Sequence, residues 1–206
     1  MVAEVVGVLV KIFVLMAPFF VLSVFAGVTD GMPLRARKNL ALRTTAAILI
    51  LSLALYFIGD KIFWGLGITL DAFRVGAGLV LLLSGLEMVR GAVGGIRAGG
   101  EQSGGPDNDP AVVPLATPTA VGPGTIGALL VMGVGSQGEP KRILLELAGI
   151  VLAIALIGLM LYYANAIETL LKRRGLAVLS KLTGLFLVAL AVQLIAAGIR
   201  GLWLGL

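Results

Sequence analysis

The stretch Asp109–Thr125 gathers the chain's densest set of backbone-breaking residues: Pro110, Pro114, Pro118 and Pro123, with Gly122 and Gly124 on either side of the last. A proline inside a helix removes one backbone donor and clashes with the carbonyl one turn earlier. In hydrocarbon the freed groups find no water, so neighbouring helices must satisfy them or they must line a cavity. A helix broken over Thr117–Gly124 therefore presents two useful ends. One half offers unpaired N–H groups with partial positive charge at its N-terminus, suited to a carboxylate. The other offers carbonyls at its C-terminus, suited to an ammonium or a cation. A milder break at Met16-Ala17-Pro18-Phe19 in the first apolar run supplies the facing half. A zwitterion with a small side chain matches this pair of ends. The plain alternative is that the prolines kink two helices for packing.

The elements that position these residues follow from composition. Of the 206 residues, 59% are hydrophobic and 13% charged, and the mean hydropathy is +1.07. A water-soluble domain of this length cannot be so apolar without exposing large apolar patches, which makes lipid the expected solvent. Cysteine and histidine are both absent, which excludes disulfides, thiolate metal sites and the usual near-neutral base and metal ligand. No metal or other cofactor is expected. The net charge of +5 does not form a patch; the basic residues flank the apolar runs, so nucleic acid is not an expected partner. The first run follows Glu4 rather than a basic segment and is too long for a signal-peptide core, so it reads as a retained helix.

A bilayer core of about 30 Å needs roughly 20 apolar residues of helix. Six runs meet that need: Val5–Ala26, Leu42–Ile58, Ala72–Val93, Val112–Gly133, Ile143–Tyr163 and Leu176–Ala197. The first connection carries Arg35, Arg37, Lys38 and Arg43, the third Arg90 and Arg97, and the fifth Lys172, Arg173, Arg174 and Lys181. The second carries only Lys61 and Arg74, the fourth only Lys141 and Arg142. Lysine and arginine resist translocation, so the odd-numbered connections are expected in the cytoplasm and both termini outside. The expected location is the inner (plasma) membrane, as a multi-pass protein.

Residues 98–110, rich in Gly, Pro and polar residues, read as a flexible cytoplasmic linker between a first three-helix unit, 1–97, and a second, 111–206. The halves resemble each other. Ala17-Pro18 in the first run matches Thr117-Pro118 in the fourth; Gly76-Ala77-Gly78-Leu79 and Glu87-Met88 in the third match Leu182-Thr183-Gly184-Leu185 and Gln193-Leu194 in the sixth. With an odd number of spans per unit, the second copy crosses in the opposite sense. The expected fold is thus all-α and integral to the membrane: six transmembrane helices as two inverted three-helix repeats, with helices 1 and 4 discontinuous.

Other charged and small residues have plainer readings. Arg74, in Asp71-Ala-Phe-Arg-Val-Gly-Ala-Gly78, could attract an anion or brace the broken helices, but a snorkelling arginine is the simpler reading. Lys11 reads the same way, pairing with Glu4. Glu87 lies near the end of the third run, and no carboxylate stands at an expected midplane. The spacings Ala72/Gly76, Gly91/Gly95 and Gly201/Gly205 suit close helix packing and could equally support a homodimer. Ser180-Lys181 lies at a helix end with no evident oxyanion partner, so enzyme activity is not expected.

The stretch Asp109–Thr125 resembles the signature of the MarC family of bacterial and archaeal membrane proteins. Ala72–Gly78, followed by Leu81-Leu-Leu and Glu87-Met88, looks like that family's third helix. The similarity covers almost the whole chain. One departure is Ala17-Pro18, where the family usually carries Asn-Pro. The resemblance implies transport of small neutral amino acids such as glycine and alanine, and it carries over Pro18, Pro114, Thr117, Pro118, Gly122, Pro123 and Gly124, with Arg74. Adding the residues that flank the breaks, Met16, Ala17, Phe19 and Thr119 complete the expected substrate-binding set. The leading expectation is a secondary transporter working by alternating access, with H+ or Na+ as candidate coupling ions. The alternatives are a non-transporting membrane partner or assembly protein and an exporter of another small solute. No Walker sequence is present, so the chain itself is not an ATP-driven pump.

Overall fold

A computed structural model describes residues 2–90 and 111–204, and every regular element among them is helical. The linker assigned to 98–110 lies outside the described residues. In chain order the helices are α1 (Val2–Leu15), α2 (Pro18–Val28), α3 (Leu34–Leu66), α4 (Leu70–Arg90), a π-type segment π1 (Ala111–Ala120), α5 (Pro123–Gly135), α6 (Pro140–Tyr162) and α7 (Ala164–Leu204). Four stretches are long and apolar enough to cross a bilayer: Leu34–Gly59, Leu70–Arg90, Pro140–Tyr162 and Arg174–Leu204. The pair α1 and α2, bent by 45° at its break, makes a fifth when taken as one span. The expected fourth run is divided between π1 and α5. The apolar helix Gly124–Gly135 covers only about 18 Å at 1.5 Å per residue, too little to cross alone.

Two connections expected as basic loops are largely helix. α3 begins at Leu34 rather than Leu42, directly after Pro33, so Arg35, Arg37, Lys38 and Arg43 lie on it. α7 begins at Ala164 rather than Leu176, with only Tyr163 between it and α6, so the basic residues 172–174 lie on a helix too. Lysine and arginine are good helix formers, and an apolar-run criterion stops where hydropathy falls rather than where the helix does. Side chains tie the α3 extension to the end of α6 and the start of α7. Arg37 pairs with Glu168 at 3.0 Å and donates to Asn165 at 3.3 Å, while Lys38 lies 4.6 Å over the Tyr162 ring.

Glycine sets the packing, as expected where lipid supplies no hydrophobic drive between helices and close approach must do so instead. α4 packs along α7 more extensively than any other pair of elements. A β-carbon on Gly85 would stand 2.9 Å from the Gly184 carbonyl oxygen, and one on Gly184 would stand 2.8 Å from the Gly85 carbonyl. Farther along, Gly78 abuts Ala191 and Ile195. α5 wedges between α3 and α4: Gly133 lies against the Tyr56 carbonyl, Gly59 against the Leu130 backbone, and Gly124 and Gly127 against Leu81 and Ala77. α1 lies along α6 through Gly149, on which Val8 sits. Gly76 makes no close contact within the chain, since a β-carbon there would meet nothing within 4 Å. Gly201 abuts the Asp71 carboxylate, and Gly91, Gly95 and Gly205 lie outside the described residues. Large apolar side chains such as Leu42, Ile50, Phe57, Leu83, Leu159 and Phe186 are exposed on the outer surface, as a hydrocarbon surround requires.

Candidate functional site

Both sequence-expected breaks are present. α1 closes as Met16 N–H donates to the Ile12 carbonyl and Ala17 N–H to that of Val14, each at 3.0 Å. Ala17 then takes the left-handed conformation (φ 47°, ψ 61°), and Pro18 opens α2. Ala17 is the one non-glycine residue with positive φ among those described, a conformation that costs an L-residue about 1–2 kcal/mol and that Asn adopts more readily.

In the second break, π1 ends as Val121 N–H donates to the Ala116 carbonyl at 2.9 Å, the wide i→i+5 closure. Gly122 is extended (φ −79°, ψ 174°), and Pro123 opens α5. Pro123, not Pro118, therefore stands in α5 where Pro18 stands in α2. The expected pairing of Pro18 with Pro118 is corrected: Pro118 lies inside the wide coil of π1, which leaves the break to the Gly122-Pro123 pair.

Thr125, in the first turn of α5, joins the two breaks. Its hydroxyl donates to the Leu15 carbonyl at the end of α1, 3.1 Å away, and lies 3.4 Å from the Ala120 carbonyl at the end of π1. Thr125 is buried. It thus satisfies a carbonyl that the first break leaves without its normal helical partner. Sequence reasoning stopped at Gly124; the signal for Thr125 was a hydroxyl one residue beyond a Pro-Gly helix start.

Of the expected residues, Met16, Ala17 and Pro18 are buried at the first break and Phe19 is half-buried. Thr117 and Thr119 are half-buried on π1, which also contains Pro114 and Pro118 in its backbone. Gly122 and Pro123 form the second break, and Gly124 is buried against Leu81 of α4. Arg74 pairs with Asp71 at 2.6 Å. Its stem lies against Gly198 of α7, and its charge acts on Lys11 of α1.

A second polar centre was not read from the sequence. Glu146, in the second turn of α6, is 6% exposed and is the one charged side chain buried among the described residues. Its Oε2 accepts hydrogen bonds from the Tyr56 hydroxyl of α3 at 2.8 Å and from Ser136, just past α5, at 2.5 Å. Its Oε1 pairs with Arg142 Nε at 3.1 Å. Lys11 of α1 interacts electrostatically with Glu146 and with Arg74, rather than serving merely as a partner for Glu4. A cleft of about 920 Å³ leads to this group, lined by Glu4, Lys11, Met132, Glu139, Lys141, Arg142 and Glu146, among others. The i,i+4 spacing of Arg142 and Glu146 was visible in the sequence, but Tyr56 and Ser136 are brought to them only by the fold.

Residues 2–203 match the sequence profile described as "MarC family integral membrane protein". The chain belongs to the MarC family. Among its MarC relatives, a UPF0056 membrane protein of Methanocaldococcus jannaschii is 35% identical over 192 residues, covering 93% of each chain. The UPF0056 membrane protein YhcE of Escherichia coli is 28% identical, covering 96% of this chain and 92% of its own. The UPF0056 inner membrane protein YhgN of Escherichia coli is 27% identical over 202 residues and 98% of each chain. No solved structure matches. Membership, with the apolar helices, establishes this MarC protein as an integral membrane protein.

Proposed function

We infer that this MarC protein is a secondary transporter for small neutral amino acids of the glycine and alanine class, with its site where the two broken helices meet. The observation that carries this reading is the Thr125 hydroxyl on the Leu15 carbonyl, which brings the end of α1, the end of π1 and the start of α5 to one point. Half-helix ends buried together in an apolar core offer N–H groups for a carboxylate and carbonyls for an ammonium without a charged side chain. Glycine and alanine need little more, because their side chains demand almost no pocket.

The reading includes six spans, with α1–α2 and π1–α5 each forming one, and two inverted repeats. The contacts between α4 and α7 support the repeat. Matching Gly78 to Gly184, as the sequence suggests, matches Gly85 to Ala191; the Gly78–Ala191 contact then becomes the Gly85–Gly184 contact. One pseudo-twofold operation relates both, as in transporters whose halves exchange inward-open and outward-open shapes. The basic ends of α3 and α7 face the cytoplasm in this scheme, and both termini face outward.

The test is counterflow. Proteoliposomes loaded with unlabelled alanine should accumulate labelled alanine or glycine transiently, and protein-free liposomes should not. No signal with either amino acid, in protein that elutes as a folded species, would remove the substrate assignment.

A further inference from the structure

We propose that the buried hydroxyls of Thr44 and Ser52 on α3 line the substrate path and hydrogen-bond a small zwitterion as it passes the broken helices. This rests on the transporter reading, which calls for a path but assigns none of its wall to α3.

Serine and threonine inside a helix commonly turn the hydroxyl back onto the carbonyl four residues earlier. This chain follows that habit. Thr45 donates to the Ala41 carbonyl at 2.7 Å, and Ser23, Thr29, Ser84 and Thr183 do the same to theirs. Thr44 and Ser52 do not. Both are fully buried, and neither hydroxyl has a hydrogen-bond partner. Among the described residues, the one other buried hydroxyl in that condition is Ser180 on α7. An unmet hydroxyl in an apolar bundle is unfavourable, and a visiting ligand with polar ends is what would meet it.

The two hydroxyls share a face. Thr44, Ile48, Ser52 and Tyr56 recur at four-residue spacing on α3, and all of them are buried. One end of that face is polar. The Tyr56 hydroxyl donates to Glu146, which lines the cleft of about 920 Å³; carboxylates and lysines both border that cleft, so it suits a zwitterion. α3 packs on α6 and on both segments that meet at the second break, π1 and α5. Thr45 lies against Gly158 of α6, while Tyr56 and Gly59 lie against α5. At about 1.5 Å per residue, Thr44 and Ser52 stand about 12 Å apart along the helix, farther than glycine or alanine can reach. They are therefore successive positions on a route rather than two sides of one pocket.

The chain's lack of cysteine allows a direct test. Thr44→Cys and Ser52→Cys change little in size, and each is used once it elutes as the folded parent does. In proteoliposomes both should react with a small water-soluble methanethiosulfonate faster than Ile50→Cys, whose position is 68% exposed on the outer surface. A thiol facing hydrocarbon stays protonated and unreactive, whereas one on a path meets water. Alanine should slow the labelling of both path cysteines. Thr44→Val and Ser52→Ala should each raise the KM for alanine about ten-fold, the worth of one hydrogen bond to a charged group, with no fall in melting temperature. Labelling of both cysteines no faster than Ile50→Cys overturns the assignment. So does a fall in melting temperature at unchanged KM, which would make the hydroxyls structural groups met by buried water. Alanine counterflow by the parent separates the two readings: counterflow with unreactive cysteines removes the α3 path alone, whereas no counterflow removes the transporter reading beneath it.

Discussion

The Thr125 hydroxyl donates to a carbonyl that the break in α1 leaves exposed to an apolar core, and an unmet buried carbonyl costs about 1–3 kcal/mol. Thr125→Val, which keeps the shape, is therefore expected to lower thermal stability in detergent by that amount, while Thr125→Ser should recover most of it. Ala17 is the opposite case, a residue whose replacement should help. Its positive φ is unfavourable for alanine and free of penalty for glycine, so Ala17→Gly is expected to stabilise the protein by about 1 kcal/mol in the same thermal assay. If Ala17→Gly instead lowers the melting temperature, the left-handed backbone at the first break is not a source of strain. The prolines and glycines at both breaks were legible in the sequence, because backbone chemistry follows from residue type. Thr125 and Glu146 were not, since their significance lies in what they touch: Leu15, Tyr56 and Ser136 come from other parts of the chain.

At the scale of elements, the α4–α7 crossing depends on two glycines that face each other's carbonyls. Gly85→Val or Gly184→Val would force these backbones apart, and overpacking of this kind typically costs 1–3 kcal/mol. Both variants should lose stability by similar amounts because their contacts are reciprocal; Gly76→Val, facing open space, should change little. A measurable penalty at Gly76 equal to that at Gly85 would contradict this packing. The apolar runs located the helices, and the prolines located the breaks to within a few residues. The helix ends were hidden where basic residues extend α3 and α7 beyond the apolar runs, because hydropathy reports solvent and not hydrogen bonding. The assignment of Pro18 to Pro118 failed for a related reason. Both are prolines in apolar runs, and only the backbone distinguishes one inside π1 from one that opens α5.

For the whole molecule, the central claim is that a small zwitterion reaches the junction of α1, π1 and α5 from either side of the membrane. Thr117 is half-buried on π1, in the segment that closes that junction, and the chain has no native thiol to confuse the readout. The decisive measurement is labelling of Thr117→Cys in oriented vesicles by a membrane-impermeant thiol reagent applied to one face at a time, with and without alanine. Labelling from both faces, slowed at least several-fold by alanine and unaffected by a large amino acid, is the result expected of alternating access. Labelling from one face only, at a rate alanine does not change, would contradict it.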